Sequence, residues 1–157
     1  MKRYVAVIGA GVADELLSAQ AEEVGRLLGQ ENVVLLSGGL GGVMEAACRG
    51  ARSTGGTTVA LLPSIDRAHA NQYVDVALPT GMGEMRNALI VRAADVVIAI
   101  GGEYGTLSEV AFALKTDTPV VGLGTWGLLK DDVRVHAFPQ ASSPRDAVTL
   151  ALDSISP

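Results

Sequence analysis

The chain has 157 residues, 48% hydrophobic and 18% charged, a size and balance that suit one folded domain (1–157) with a sizeable core and no long disordered stretch. Twelve basic against 17 acidic residues give a net charge of −5, with no Lys/Arg block, and aromatic residues make up only 4%. This excludes nucleic-acid partners, whether held by phosphate neutralisation on a duplex or by base stacking on a single strand.

Tyr4–Ile8 is a β-branched apolar run ended by Gly9-Ala10-Gly11 and is predicted as a buried strand. It is too short for a membrane span or a signal segment, which predicts a cytoplasmic protein with no membrane partner. Asp14 to Leu28 has helical spacing, with Leu16, Leu17, Val24, Leu27 and Leu28 on one stripe and Gly29 as its stop. Val33–Leu36 is the second strand, ended by Ser37-Gly38-Gly39-Leu40-Gly41-Gly42, and Val43–Ala51 is a small-residue helix able to pack closely on a sheet or a partner. Cys48 within it is the only cysteine, so no intrachain disulfide forms; it reads as a small core or interface residue.

Thr57–Leu62 and Tyr73–Leu78 are the third and fourth strands, separated by Pro63 and a polar connection. Pro79-Thr80-Gly81-Met82-Gly83 leads into a helix over Glu84–Ala93. Val96–Ile100 is the clearest strand; Gly101-Gly102-Glu103-Tyr104-Gly105-Thr106 and a helix over Leu107–Leu114 follow. Pro119–Leu123 is a further strand, Val133–Phe138 a last edge strand, and Ser143-Pro144 opens the final helix as N-cap and first helical residue. Strands that are apolar on both faces and alternate with helices predict an α/β, Rossmann-like, doubly wound parallel sheet in a single domain, with ligands expected beyond the carboxyl ends of the strands.

Glycine or proline follows five of these strands: Gly9–Gly11, Gly38–Gly42, Pro63, Pro79–Gly83 and Gly101–Gly105. In a parallel sheet all five loops emerge at one edge, and several open onto helix N-termini, whose free N–H groups and positive dipole end suit a phosphate. Gly9, Gly11, Ser37, Gly38, Gly39, Gly81, Gly101, Gly102, Gly105 and Thr106 are the candidate ligand-binding residues. Gly9-Ala10-Gly11 starts a dinucleotide fingerprint but lacks its third glycine, Asp14 standing there, and the second strand ends in Ser37 rather than an acidic residue, which argues against an NAD-dependent dehydrogenase. No GxxxxGK[ST] motif occurs. Thr106 and Glu109 have the spacing of a capping box; alternatively Thr106 cradles a phosphate and Glu109, about one turn deeper, faces the same cleft. Arg86 is the natural cation for that cleft, because no glycine loop contains a lysine. His69 and His136 are isolated and Asp131-Asp132 reads as a solvated turn, so no metal site is assigned.

Gly101-Gly102-Glu103-Tyr104-Gly105-Thr106-Leu107-Ser108-Glu109 resembles the P-G-G-x-G-T-x-x-E hallmark of the Lonely-guy (LOG) superfamily, which contains phosphoribohydrolases and molybdenum-cofactor carrier proteins. Ile100 stands in place of the proline, one further residue precedes Gly105, and Arg86-Asn87 replaces the family's Arg-Lys pair. The stretch Pro63 to Gly83, with Asp66-Arg67, Asn71 and Pro79-Thr80-Gly81, looks most like the carrier branch. The resemblance implies a protein that holds a phosphate-bearing nucleotide or pterin on these loops, with the molybdenum cofactor as a carried ligand. Its alternative implication is a hydrolase, needing no cofactor, that splits nucleoside 5′-monophosphates into free base and ribose 5-phosphate, with Glu109 and Arg86 as catalytic residues. It also implies a homodimer or larger homo-oligomer. The lysine-decarboxylase label given to some relatives fits poorly, because Lys2, Lys115 and Lys130 all lie outside the glycine loops.

Overall fold

Six strands, β1 (Tyr4–Gly9), β2 (Val34–Ser37), β3 (Thr57–Leu62), β4 (Val76–Pro79), β5 (Val96–Ile100) and β6 (Val120–Leu123), form one parallel sheet in the order β4-β3-β2-β1-β5-β6. This is a computed structural model, which describes residues 1–155; Ser156 and Pro157, the end of the predicted domain, lie outside the described residues. Five α-helices cover the sheet: α1 (Glu15–Gln30), α2 (Val43–Ser53), α3 (Asn87–Ala93), α4 (Tyr104–Lys115) and α5 (Pro144–Ser154). The predicted Rossmann-like doubly wound α/β fold is therefore the observed one.

Alternation along the strands divides the core in two. Val5 and Val7 of β1, Leu35 of β2 and Val96, Ile98 and Ile100 of β5 pack with residues of α1, α2 and α5. Their neighbours Ala6, Ile8, Leu36, Val97 and Ala99 pack with residues of α3 and α4 on the other face. On the first face α1 and α2 meet at backbone contact: a Cβ on Gly25 would strike the Ala47 carbonyl, and one on Gly50 the Glu22 carbonyl. The small residues of α2 serve this packing; Val43, Ala46, Ala47, Cys48 and Ala51 are all buried, so this stretch is not a partner face. Val110 and Ala113 of α4 are likewise core.

Several boundaries differ from those predicted. Gly29 does not stop α1, which runs on to Gln30; it packs against Ala51 and Thr54. Leu16 is 70% exposed and leaves the apolar stripe. The fourth strand begins at Val76, because the preceding residues hold side-chain bonds instead: Tyr73 N–H donates to Asn71 Oδ1 (3.0 Å) and Thr58 N–H to Asp75 Oδ2 (2.9 Å). The helix predicted from Glu84 starts as a 3₁₀ turn, Gly83–Arg86, before α3. Val133–Phe138 is not an edge strand of the sheet. Val133–Val135 (β8) pairs antiparallel with Leu128–Lys130 (β7) in a separate hairpin. Its two-residue turn, Asp131-Asp132, has φ of 52° and 60°, the conformation such hairpins require. At α5 the prediction holds: Ser143 Oγ accepts from Asp146 N–H (3.1 Å) and Pro144 is the first helical residue.

Candidate functional site

The strand order reverses between β1 and β5, with β2, β3 and β4 on one side and β6 on the other. Loops leaving β1 and β5 diverge there, and the crevice beyond their carboxyl ends is the usual ligand position of such sheets. A cavity of about 460 Å³ occupies it. Gly9 at the end of β1 and Gly11 after it, Gly38 after β2, Arg86 before α3, and Gly105, Thr106 and Glu109 of α4 all line it. Seven candidate residues, widely separated in sequence, are thus brought together.

Two of them are charged and buried. Arg86 and Glu109 are each only 7% exposed. Arg86 Nε has no hydrogen-bond partner, and among the described residues no ion pair joins Arg86 to Glu109. Gly38 makes room for the guanidinium: a Cβ there would collide with Arg86 Nη1. Burial raises the pKa of Glu109 to about 7, against the opposing pull of the Arg86 charge. Burial also lowers that of Arg86, with Glu109 opposing. Near neutral pH the pair therefore moves between no net charge and +1. A buried cation with an unpartnered donor is costly in an empty cavity and is satisfied by an incoming anion.

The start of α4 adds to this field. The helix begins at Tyr104, three residues before the predicted start, and Glu103 is its N-cap residue without a side-chain cap bond. Thr106 and Glu109 are consequently not a capping box. Thr106 lies in the first turn, 4% exposed, against Gly102, where a Cβ would strike its Oγ1. Leu107 N–H is the first amide bonded within the helix, to Glu103 O at 3.0 Å. The amides before it have no partner within the helix, and two of these residues, Gly105 and Thr106, line the cavity.

Other candidates are elsewhere. Ser37 is fully buried; its Oγ accepts from Gly39 N–H (3.1 Å) and lies 3.6 Å from Cys48 Sγ. It shapes the loop and does not line the cavity. Gly39 packs on Ala60 and Leu62, and Gly81 against Ile65. Asn71 is structural: it donates through Nδ2 to Leu40 O (3.0 Å) and through N–H to Gly39 O (2.8 Å), pinning the glycine loop after β2. Gly101 and Gly102, with φ of 54° and 105°, line a separate depression together with Trp126. Arg92, at the end of α3, lies over the Phe112 ring at 5.8 Å.

Sequence reading passed over Leu40, Met44, Glu84 and Asn87 as cavity residues. Each lies within a few residues of a loop that was singled out, and that proximity was the available signal. Among the described residues no group of three or more His, Cys, Asp or Glu could hold a metal ion. No described helix is long and apolar enough to cross a membrane.

The sheet, its two helical layers and the cleft with buried Arg86 and Glu109 at the strand-order switch define a Rossmann-like α/β protein of the LOG type. The sequence model of the SLOG cluster4 family matches residues 2–151, and the chain belongs to that family. An uncharacterized protein of Archaeoglobus fulgidus is 41% identical over 150 residues, spanning 96% of this chain and 95% of its own. Among solved structures, the molybdenum cofactor binding protein of the phototrophic bacterium Rippkaea orientalis is 37% identical, with a TM-score of 0.89 and 99% of both chains covered. The molybdenum cofactor carrier protein of Chlamydomonas reinhardtii is 30% identical, with a TM-score of 0.84 and the same coverage. The superfamily read from the glycine loops is thereby confirmed, and molybdenum cofactor carrier proteins are among the solved structures similar to this chain.

Proposed function

We propose that the protein binds the molybdenum cofactor, or a closely similar phosphate-bearing pterin, and carries it without chemical change. The observation that carries this reading is the buried Arg86, with an unpartnered Nε, on the wall of a 460 Å³ cavity at the strand-order switch. Support comes from the carrier proteins, which match this chain end to end. The residues fit a phosphate group: Arg86 supplies charge, the first amides of α4 supply neutral donors, and Gly11 and Gly105 leave room for backbone approach. The metal is cargo and travels with its organic ligand. The same proposal places the protein in the cytoplasm as a homodimer or larger. Exposed Val76, Leu78, Met82 and Met85 around the edge strand β4 support self-association.

A second reading, the phosphoribohydrolase, is favoured by one observation: Glu109 is a buried carboxylate beside the same cavity. An ionised carboxylate can stabilise an oxocarbenium-like centre. With its pKa near 7, however, Glu109 is only partly ionised at neutral pH, and this reading ranks second.

One experiment separates the two. The protein is incubated with molybdenum cofactor released from a donor enzyme, desalted, and assayed for molybdenum and pterin per chain. In parallel a panel of nucleoside 5′-monophosphates is assayed for base release, with Glu109→Gln as control. Retention near one cofactor per chain without base release is the expected result. Base release abolished by Glu109→Gln, with no cofactor retained, would establish the hydrolase instead.

A further inference from the structure

A second concave surface lies on the other side of the α4 start. It is an open depression of about 360 Å³ between the ends of β5 and β6, lined by Gly101, Gly102, Glu103, Gly124, Thr125 and Trp126. Trp126 stands against Tyr104 with ring centroids 5.7 Å apart and planes tilted by 33°. Two bonds fix this corner: Trp126 Nε1 donates to Glu103 O (3.2 Å) and Thr125 Oγ1 to Gly101 O (2.5 Å). The indole's one polar group is thus spent on positioning the ring. Tyr104 remains 78% exposed despite this contact, so most of its ring is uncovered. In a chain with one Trp, three Tyr and two Phe, two aromatics meet at this point. Gly105 and Gly124 beside them would meet nothing with a Cβ, leaving the approach open. Glu103 is exposed and lines the depression, and its carboxylate, which makes no hydrogen bond among the described residues, is an acceptor for ring N–H donors.

We infer that Tyr104 and Trp126 form a stacking shelf for the planar heterocycle of a ligand whose phosphate end occupies the Arg86 cavity. Residues 101–106 join the two surfaces: Gly101 to Glu103 line the shelf and Gly105 and Thr106 line the cavity. A heteroaromatic phosphate can therefore lie across the start of α4, its ring on the shelf and its anion at the helix amides and Arg86. Stacking tolerates different rings because every heterocycle has a π-face, while Glu103 favours rings that present N–H donors, as aminopyrimidinones do. The inference rests on the proposed phosphate site only for the anionic end; the shelf is tested separately.

Trp126 is the only tryptophan, so its fluorescence reports this corner alone. Wild-type protein is titrated with GMP, AMP and neopterin monophosphate, with guanosine as a ring without phosphate and ribose 5-phosphate as a phosphate without a ring. Saturable quenching by ring-bearing probes, guanosine included, is expected, and none by ribose 5-phosphate. Tyr104→Ala weakens GMP about tenfold, or ~1.4 kcal/mol, and leaves calorimetric affinity for ribose 5-phosphate unchanged. Trp126→Phe, which keeps an aromatic ring, retains most of the affinity by calorimetry and guards against a merely structural effect of the Tyr104 change. Arg86→Met does the reverse of Tyr104→Ala: ribose 5-phosphate is lost and guanosine quenching stays. Guanosine quenching together with ribose 5-phosphate and GMP affinities unchanged in Arg86→Met would keep the shelf and remove the phosphate site. No quenching by any ring-bearing probe, or unchanged GMP affinity in folded Tyr104→Ala, overturns the shelf.

Discussion

The two helical layers over the sheet are built on opposite terms. Where α1 crosses α2, small residues let backbones touch, and the buried layer is almost wholly apolar. Where α3 and α4 frame the cleft, Arg86, Thr106 and Glu109 are buried beside a cavity, and one guanidinium nitrogen has no partner. The first layer is close-packed, as protein interiors usually are. The second holds charge out of water without a matching ion pair, a local departure that marks functional sites. Stability thus resides mainly in one layer, and the capacity to bind in the other.

The largest expected effect sharpens this contrast from the cleft side. Because the pKa of Glu109 is raised from 4.5 to about 7, the folded state prefers its protonated form. Its contribution to stability is complete below about pH 4.5 and is lost as pH rises through about 7. Glu109→Gln, which stays neutral, should be more stable than wild type above that range by on the order of 3 kcal/mol, and equal to it at low pH. Urea unfolding across pH measures the difference; parallel curves for the two proteins would show that Glu109 is not held protonated by burial.

Gly25→Ala tests the other layer. Its methyl would strike the Ala47 carbonyl of α2, and backbone cannot yield cheaply, so a loss of about 2 kcal/mol is expected. That loss should be independent of pH between about 5 and 8, unlike the cleft variant. An unchanged urea midpoint would mean that α1 and α2 are less tightly joined than described. The smallest effect is at α5, where Ser143→Ala removes the cap bond to Asp146 N–H and should cost about 1 kcal/mol. Thermal unfolding would register it as a modest fall in Tm; no change would mean that the cap bond is replaced by water.

The fold was legible because the apolar runs are short, β-branched and closed by glycine, and this punctuation survives in the observed sheet. What escaped reading depended on direction and partners. Asp131-Asp132 was seen as a turn, but only pairing shows that it joins β7 to β8 away from the sheet. Ser37 and Gly38 are adjacent in sequence, yet one is sealed in the interior and the other lines the cavity. Thr106 and Glu109 carried two readings until Tyr104 proved to start the helix. Trp126 was missed because the loop after β6 has no double glycine, the signal that flagged the loop after β5.

The most direct test of the Arg86 cavity is equilibrium binding of released molybdenum cofactor to wild type and Arg86→Met, at about pH 6 and pH 8, either side of the Glu109 pKa of about 7. We predict tighter binding to wild type at the lower pH, where the pair carries net positive charge. We also predict a loss of about thirtyfold in Arg86→Met, ~2 kcal/mol, in a variant that remains folded. Equal affinity of the two folded proteins at both pH values would contradict the assignment of this cavity as the binding site.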